Sequence, residues 1–285
     1  MKPGFKSPFN PALNDLLPMV RPGFPVRLNL GIGGPTAAKV IASTDGATKT
    51  KGLNGPKKSA LAAAPAGLGM AVQAARARMV HKLAAQGVSD ARVLSAMSQV
   101  ERHRFVDSAL ANQAYEDTSL PIGLGQTISK PSVVARMLEL LQQSARGAGG
   151  KLGRVLEIGT GCGYQAAVLS HLATEVYSIE RLRGLHDKAR ENLRDLRLSN
   201  VHLLFGDGMS GFPKGAPYAA IIAAAGGDAI PSAWIEQLAM GGRLVAPLQA
   251  ANGSQALVVV DKTPEGIRQT LLEAVHFVPL KSGTS

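Results

Sequence analysis

Short apolar runs alternate with amphipathic stretches along the second half of the chain. The apolar runs have the length of buried strands, and the stretches between them carry apolar positions at helical spacing. The predicted strands are 154–158, 175–179, 201–205, 218–225 and 243–248, and the predicted helices are 165–172, 185–196 and 230–238. This alternation predicts a Rossmann-like, doubly wound α/β fold, in which helices cover both faces of a parallel sheet.

Two further strands are predicted at the end of the chain, at 256–261 and 270–278. The connection between them contains Pro264-Glu265-Gly266 and is shorter than the crossover of a dozen or more residues that a parallel pair needs. These strands therefore predict an antiparallel hairpin. The expected sheet is mixed and has about seven strands.

Helices are also predicted ahead of the sheet. The first follows apolar positions that recur at helical spacing from Val72 onward, and it stops at Gly87. The second has Ser89 as its N-cap, and the third begins at Pro131, a residue that suits the first helical turn.

Charge divides the chain into two parts. The net charge is +11, but residues 1–70 carry nine Lys and Arg against Asp15 and Asp45, which leaves only +4 for 71–285. The first part is rich in Pro, Gly, Ala and Lys without a helical or strand period, so we predict a basic, disordered extension over 1–70. We interpret this extension as a solvated tail rather than a polyanion-binding arm, because no aromatic residue is interleaved with the charges at 49–58. A transit peptide is the third possibility, but the prolines argue against the amphipathic helix that it needs.

Composition excludes several classes of protein. A single cysteine, Cys162, cannot form an intrachain disulfide or supply a Cys/His zinc cluster, so no metal is expected. No apolar run reaches the roughly eighteen residues of a membrane span, and the N-terminus lacks the apolar core of a signal peptide. These features predict a soluble protein located in the cytoplasm.

A glycine-rich turn joins the first strand of the sheet to the next helix. Gly159, Gly161 and Gly163 let the backbone bend sharply and let a ligand approach it closely. Glycines at this spacing also fit the dinucleotide fingerprint, so the motif alone leaves NAD and other nucleoside cofactors open.

Acidic residues narrow the choice of cofactor. Glu180 ends the next strand, where a carboxylate accepts hydrogen bonds from ribose hydroxyls, and Gly206-Asp207-Gly208 follows the carboxyl end of another strand. Glu157, just before the glycines, would repel a pyrophosphate but tolerates a ribose and a sulfonium cation. Together they favour S-adenosylmethionine.

Several segments resemble the protein-L-isoaspartate O-methyltransferase family. The most specific is Gly125-Gln126-Thr127-Ile128-Ser129-Lys130-Pro131, since generic methyltransferases lack it. The resemblance covers roughly residues 71–280 and includes the following segments: 104–106, 114–117, 120–131, 133–137, 155–167, 177–181, 206–208, 230–231, 241–245 and 275–280.

The resemblance implies a role for each region. Ser129 matches the active-site serine, and Thr127 and Ile128 lie in the loop that closes on the substrate. Residues 71–150 are then the helical, substrate-side region and 151–285 the cofactor-binding sheet. The expected cofactor-binding residues are Glu157, Gly159, Gly161, Gly163, Glu180, Asp207 and Gly208. The expected partners are isoaspartyl-containing proteins and peptides, without obligatory nucleic acid or membrane, and the chain is expected to be a monomer.

Three positions depart from the family pattern. Cys162 stands where Ser is common, Leu124 replaces a usually polar residue, and 223–227 differs from the usual segment after the fourth strand. We interpret Cys162 as a packed residue rather than a reactive thiol.

The chemistry implied by the family needs no general base. A free carboxylate with a pKa near 4 is ionised at neutral pH, so the enzyme must orient it and exclude water, and Ser129 would donate a hydrogen bond to it. The resulting ester can cyclise to a succinimide and reopen partly as aspartate, which is the repair that the resemblance implies.

Other functions remain open from the residues alone. A dehydrogenase leaves 206–208 unexplained, and amino-group methylases usually carry an Asn/Asp-Pro-Pro-aromatic run where this chain has Ala224-Ala225-Gly226-Gly227. The alternatives are a methyltransferase that acts on a nucleic acid or small molecule, and a non-catalytic binding module.

Overall fold

The computed structural model describes residues 66–144, 150–249 and 253–285. The predicted extension therefore lies outside the described residues up to position 65. The helices in these ranges are α1 (Ala66–Ala85), α2 (Ala91–Gln99), α3 (Pro131–Gln142), α4 (Tyr164–Leu172), α5 (Arg183–Arg194) and α6 (Ser232–Gln237). The strands are β1 (Leu120–Gly123), β2 (Gln126–Ile128), β3 (Leu152–Ile158), β4 (Ala173–Glu180), β5 (Val201–Phe205), β6 (Tyr218–Ala223), β7 (Leu238–Gln249), β8 (Gln255–Thr263) and β9 (Gly266–Val275).

Seven strands form one mixed sheet in the order β5-β4-β3-β6-β7-β8-β9. The strands from β5 to β7 are parallel, whereas β7, β8 and β9 pair antiparallel. The predicted fold class and the closing hairpin are thus confirmed. The chain leaves β3 towards β4 and β5 and later returns to the other side of β3 as β6, and open α/β sheets bind ligands at such a switch point.

Apolar side chains alternate between the two faces of this sheet. Val155 packs into a core shared with α1 to α5, whereas its neighbour Leu156 packs into a second core on the opposite face, with Trp234 of α6. Each face of a central strand is therefore covered, and the binding edge at the carboxyl ends is left accessible. No helix among the described residues has the length and apolarity required to cross a membrane.

Element boundaries differ from the prediction at several places. Helix α1 begins at Ala66, and strand β7 begins at Leu238, directly after α6. Strand β9 begins at Gly266, earlier than predicted, because Thr263 already pairs with Gly266 across a tight turn. In such a tight hairpin one residue can belong to both the turn and the strand, so hydrophobic periodicity alone does not locate the first residue of the strand.

The predicted N-cap of the second helix is wrong. Asp90 caps α2, since its carboxylate accepts hydrogen bonds from the backbone N–H groups of Arg92 and Val93. Ser89 instead donates from both its backbone N–H and its hydroxyl to Glu139 Oε1 on α3. A tertiary contact therefore takes the hydroxyl that local preference assigns to the helix end.

The hairpin formed by β1 and β2 was not predicted. Its strands span four and three residues, which is too short for a period-2 pattern to appear. Its turn contains Leu124, a non-glycine residue with φ +52°, and the Leu124 side chain is 62% exposed. Thr127 lies within β2 and Ser129 directly follows it, so this hairpin places both residues.

Candidate active site

A cavity of about 450 Å³ lies at the carboxyl ends of β3 and β4, beside the β1–β2 hairpin. This volume is in the range of sites that enclose small molecules. Three parts of the chain form its walls. The first is the β1–β2 hairpin, with Ile122, Leu124, Gly125, Gln126 and Thr127, and the second is the set of strand ends and glycine turns, with Ile158, Gly159, Gly161, Ile179, Glu180, Gly208, Ala224 and Ala225. The third comprises Arg181, Leu182, Leu185 and the C-terminal residues Val278 to Lys281.

The glycine turn forms one side of this cavity. Gly159, Gly161 and Gly163 have φ values of +90°, +56° and +90°, which L-residues with a Cβ rarely adopt. Gly159 and Gly161 line the cavity, while a Cβ on Gly163 would meet Leu193 Cδ1 at 3.0 Å, away from it. The first two glycines thus leave backbone exposed to a ligand, and the third allows α4 to begin close to α5.

Glu180 faces the cavity from the end of β4. Its side chain is 5% exposed, and its two oxygens accept hydrogen bonds from the backbone N–H groups of Gly161 and Leu182, both at 2.9 Å. A carboxylate offers about four lone-pair positions, so acceptor capacity remains for a ligand. Glu180 therefore both fixes the glycine turn and presents an acceptor to the cavity.

Glu157 lies beneath the glycine turn and is not among the residues that line the cavity. Its carboxyl group is fully buried, accepts a hydrogen bond from the Ser178 hydroxyl, and has one oxygen without a hydrogen-bond partner. The Thr160 hydroxyl, in the glycine turn, lies 2.6 Å from the Ser178 hydroxyl. Burial raises the pKa of Glu157 to about 8.

Replacing Glu157 by Gln is expected to change how stability depends on pH. The folded state holds the proton up to about pH 8, whereas the unfolded carboxyl titrates near 4.5, so Glu157 lowers the free energy of unfolding as pH rises through that window. The effect is at most about 1.4 kcal/mol per pH unit. Urea unfolding at several pH values between 5.5 and 8 should show the wild-type protein losing stability relative to Glu157→Gln; parallel curves would contradict the assignment.

Asp207 and Gly208 hold different positions at the site. Gly208 lines the cavity, and a Cβ there would lie 2.5 Å from Ile158 Cγ2, so only glycine fits. Asp207 does not line the cavity; it accepts hydrogen bonds from the backbone N–H groups of Met209 at 2.9 Å and Gly283 at 2.7 Å. Asp207 thereby anchors the C-terminal segment whose residues from Val278 to Lys281 form one wall.

Ser129 lies in a small recess that shares several lining residues with the cavity. Thr127 lines both spaces, and Ile128 and Ser129 line the recess together with Gln165 of α4. The backbone carbonyl of Ser129 accepts a hydrogen bond, but its hydroxyl makes none to the described residues. The hydroxyl is therefore available to a ligand in the recess.

Cys162 also lines this recess but is 3% exposed. Burial raises the pKa of its thiol to about 11, so the thiolate needed for nucleophilic attack is scarce at neutral pH. This agrees with its interpretation as a packed residue.

Two contributors to the site were not predicted from the sequence. The wall at 278–281 belongs largely to a segment that carries the family resemblance, but its residues, Val, Pro, Leu and Lys, form no motif that by itself predicts a ligand site. Arg102 was also missed; its guanidinium donates from Nη2 to the Ser129 carbonyl at 2.7 Å. An arginine in an amphipathic segment is ordinarily solvated, so only its burial identifies it.

Comparisons with known proteins agree with this arrangement. The sequence profile described as protein-L-isoaspartate(D-aspartate) O-methyltransferase matches residues 74–285. A protein of Leptothrix cholodnii named protein-L-isoaspartate O-methyltransferase is 62% identical over 231 residues, covering 80% of this chain and 81% of that protein. A protein of Methylibium petroleiphilum with the same name is 63% identical over 222 residues, covering 77% and 82%.

Solved structures are also similar. One protein-L-isoaspartate O-methyltransferase superposes with a TM-score of 0.65 and 29% identity, over 73% of this chain and 66% of that chain. A methyltransferase of Plasmodium falciparum, solved in complex with S-adenosyl-L-homocysteine, has a TM-score of 0.61 over 72% of this chain and 98% of that chain. Because its sequence is only 23% identical to this chain, this similarity concerns the fold alone.

Proposed function

The chain belongs to the protein-L-isoaspartate O-methyltransferase family, and on that premise we propose that the cavity and the Ser129 recess bring its two substrates together. The enzyme transfers a methyl group from S-adenosylmethionine to the free carboxylate of L-isoaspartyl residues in proteins and peptides, which begins their repair. The observation that carries the site assignment is the hydroxyl of Ser129, which has no hydrogen-bond partner among the described residues and lies in a recess that adjoins the glycine-lined cavity.

The residues of the cavity fit a nucleoside cofactor. Gly159 and Gly161 expose backbone where a side chain would fill space, and Glu180 offers acceptor capacity to ribose hydroxyls. Apolar side chains such as Ile179, Leu182 and Leu280 offer a surface for an adenine ring. We assign Gly163, Glu157 and Asp207 to the support of these walls, since none of the three lines the cavity.

The protein's part in the reaction is to bind, orient and exclude water. When bound, S-adenosylmethionine supplies a methyl group on a sulfonium sulfur, which keeps the electron pair of the broken C–S bond. The attacking carboxylate is ionised at neutral pH, so no residue has to remove a proton. Ser129 donates a hydrogen bond to that carboxylate, and Thr127 and Ile128 position the peptide around it.

One assay tests this function against the alternatives. The purified protein is incubated with labelled S-adenosylmethionine and an isoaspartyl peptide, the same peptide with normal aspartate, tRNA or DNA. Base-labile label on the isoaspartyl peptide alone is expected. Label on a nucleic acid, or on no acceptor, would contradict the proposal.

We further propose that residues 71–285 carry the chemistry and that the basic extension 1–70 does not. The family match begins at residue 74, and α1 begins at Ala66. A chain shortened to begin at Ala66 should therefore retain kcat and KM for a short isoaspartyl peptide within about twofold. A folded shortened chain that has lost turnover would mean that the extension belongs to the site.

The active unit is proposed to be a monomer in the cytoplasm. The basis for this proposal is that the cavity and the Ser129 recess both form within a single copy of the chain. The single buried cysteine, Cys162, suits a reducing compartment. Light scattering of the purified protein measures the oligomeric state directly.

A further inference from the structure

Arg102 is a fully buried arginine directly behind the Ser129 recess. Its side chain is 0% exposed, and it lies in a short 3-10 helix, Arg102–Phe105. Its Nε donates to the carbonyl of Ala114 at 2.8 Å and its Nη2 to the carbonyl of Ser129 at 2.7 Å. Its third nitrogen, Nη1, makes no hydrogen bond to the described residues.

The guanidinium also contacts the cofactor side of the site. Its Cζ lies 4.8 Å from the ring centroid of Tyr164, the first residue of α4 and the one that follows Gly163. Tyr164 lines the same recess as Ser129. Arg102 thus joins the substrate loop to the end of the glycine turn, and the separation of these two elements sets the distance over which a methyl group must move.

The positive charge of Arg102 has no ion pair among the described residues. Its hydrogen-bond partners are neutral carbonyls, and the side chains that act on its charge are chiefly Tyr164 and Cys162, with a smaller effect from Asp117 through space. Burial lowers the pKa of the group, but arginine stays charged at neutral pH. An unpaired buried charge is costly, and an anion held at Ser129 would offset part of that cost.

We propose that Arg102 positions Ser129 for the reaction and supplies the positive charge that favours an anionic substrate in the recess. This inference rests on the proposed function, because it takes the recess as the site of the isoaspartyl carboxylate. The charge acts on the substrate but not on its neutral ester product, so it selects the reactant. The hydrogen bond to the Ser129 carbonyl acts through Ser129 and governs how well the carboxylate is aligned.

Arg102→Met removes both the charge and the hydrogen bonds while keeping an unbranched side chain. The KM for an isoaspartyl peptide should rise about tenfold or more. The inhibition constant of the same peptide with that carboxylate replaced by a neutral carboxamide should change less than about threefold, and S-adenosylhomocysteine affinity less than about twofold. Equal weakening of the carboxylate and carboxamide peptides, or an unchanged KM, would overturn the proposal.

Arg102→Lys separates the effect of the charge from the effect of the hydrogen bonds. It also tests the proposal if Arg102→Met does not fold. Lysine keeps the charge but cannot reproduce the planar fork that reaches both carbonyls, so kcat should fall about tenfold while the preference for carboxylate over carboxamide persists. Loss of that preference, or an unchanged kcat, would overturn the proposal. A wild-type protein that does not methylate the isoaspartyl peptide would instead refute the proposed function, so the two failures are distinguishable.

Discussion

Glu180→Ala is expected to weaken S-adenosylmethionine binding by about 1.5–3 kcal/mol, or roughly 10- to 150-fold in Kd. Two losses combine. The ribose hydroxyls lose a charged acceptor, and the backbone N–H groups of Gly161 and Leu182 lose the carboxylate that holds them at 2.9 Å. Because the glycine turn depends on this carboxylate, the exposed backbone at Gly161 is no longer held against the ligand. Isothermal titration calorimetry on the folded variant measures the change.

Glu175→Ala is the matched control for this experiment. Glu175 lies on the same strand, β4, and carries the same side chain, but it pairs with His202 at the surface and does not line the cavity. Its replacement should leave the Kd for S-adenosylmethionine within about twofold of the wild-type value, since surface ion pairs contribute little. Equal affinities for wild type and Glu180→Ala would contradict the assignment of Glu180 to the cofactor.

Ser129→Ala is expected to lower kcat roughly 10- to 100-fold, because one hydrogen bond to a charged group is removed from the reacting carboxylate. Cofactor affinity should stay nearly unchanged, since Ser129 lies in the recess and does not line the larger cavity. The hydroxyl makes no hydrogen bond to the described residues, so its removal should leave the free energy of unfolding close to that of the wild type. Steady-state kinetics with an isoaspartyl peptide, together with calorimetry for the cofactor, measures both quantities.

Ser132→Ala provides the comparison within the same segment. Ser132 is the second residue of α3, and neither the cavity nor the recess includes it, so kcat should stay within about twofold of wild type. The pH profile of the wild-type enzyme adds a second test. Activity should fall only towards the carboxylate pKa near 4, without a limb between pH 6 and 7 of the kind histidine assistance produces. A methylated or acylated Ser129 in the mass spectrum after one turnover would show a nucleophile instead of an orienting donor.

The fold could be predicted largely from the sequence because its main signals are local. Strand β5 was predicted with the bounds that the structure has, Val201–Phe205, and α3 begins at Pro131 as predicted, since proline suits a first helical turn. The closing hairpin followed from the length of one connection. Errors occurred where a tertiary contact competes with a local preference, as at Ser89, whose hydroxyl donates to Glu139 on another helix.

The sequence by itself identified the glycine turn, Glu180 and the segment around Ser129 as parts of the candidate site, and the tertiary structure decided what each of them contacts. The glycines and Glu180 were identified because a strand, a tight turn and an acidic strand end follow one another along the chain. The same pattern could not separate Glu180, which faces the cavity, from Glu157, which is buried beneath it and whose pKa is raised to about 8. Both carboxylates lie at or near the carboxyl end of a strand, and side chains on a strand alternate between faces.

The burial and contacts of Arg102 depend on tertiary structure even more strongly than those of Glu180 and Glu157. It lies 27 residues before Ser129 in the sequence, and its guanidinium is buried where the carbonyls of Ala114 and Ser129 and the ring of Tyr164 come together around it. The anchor of the C-terminal wall, Asp207 to Gly283, spans 76 residues. Such contacts follow from how elements pack and carry no short-range signal, because burial and hydrogen-bond geometry are set by residues distant in the sequence.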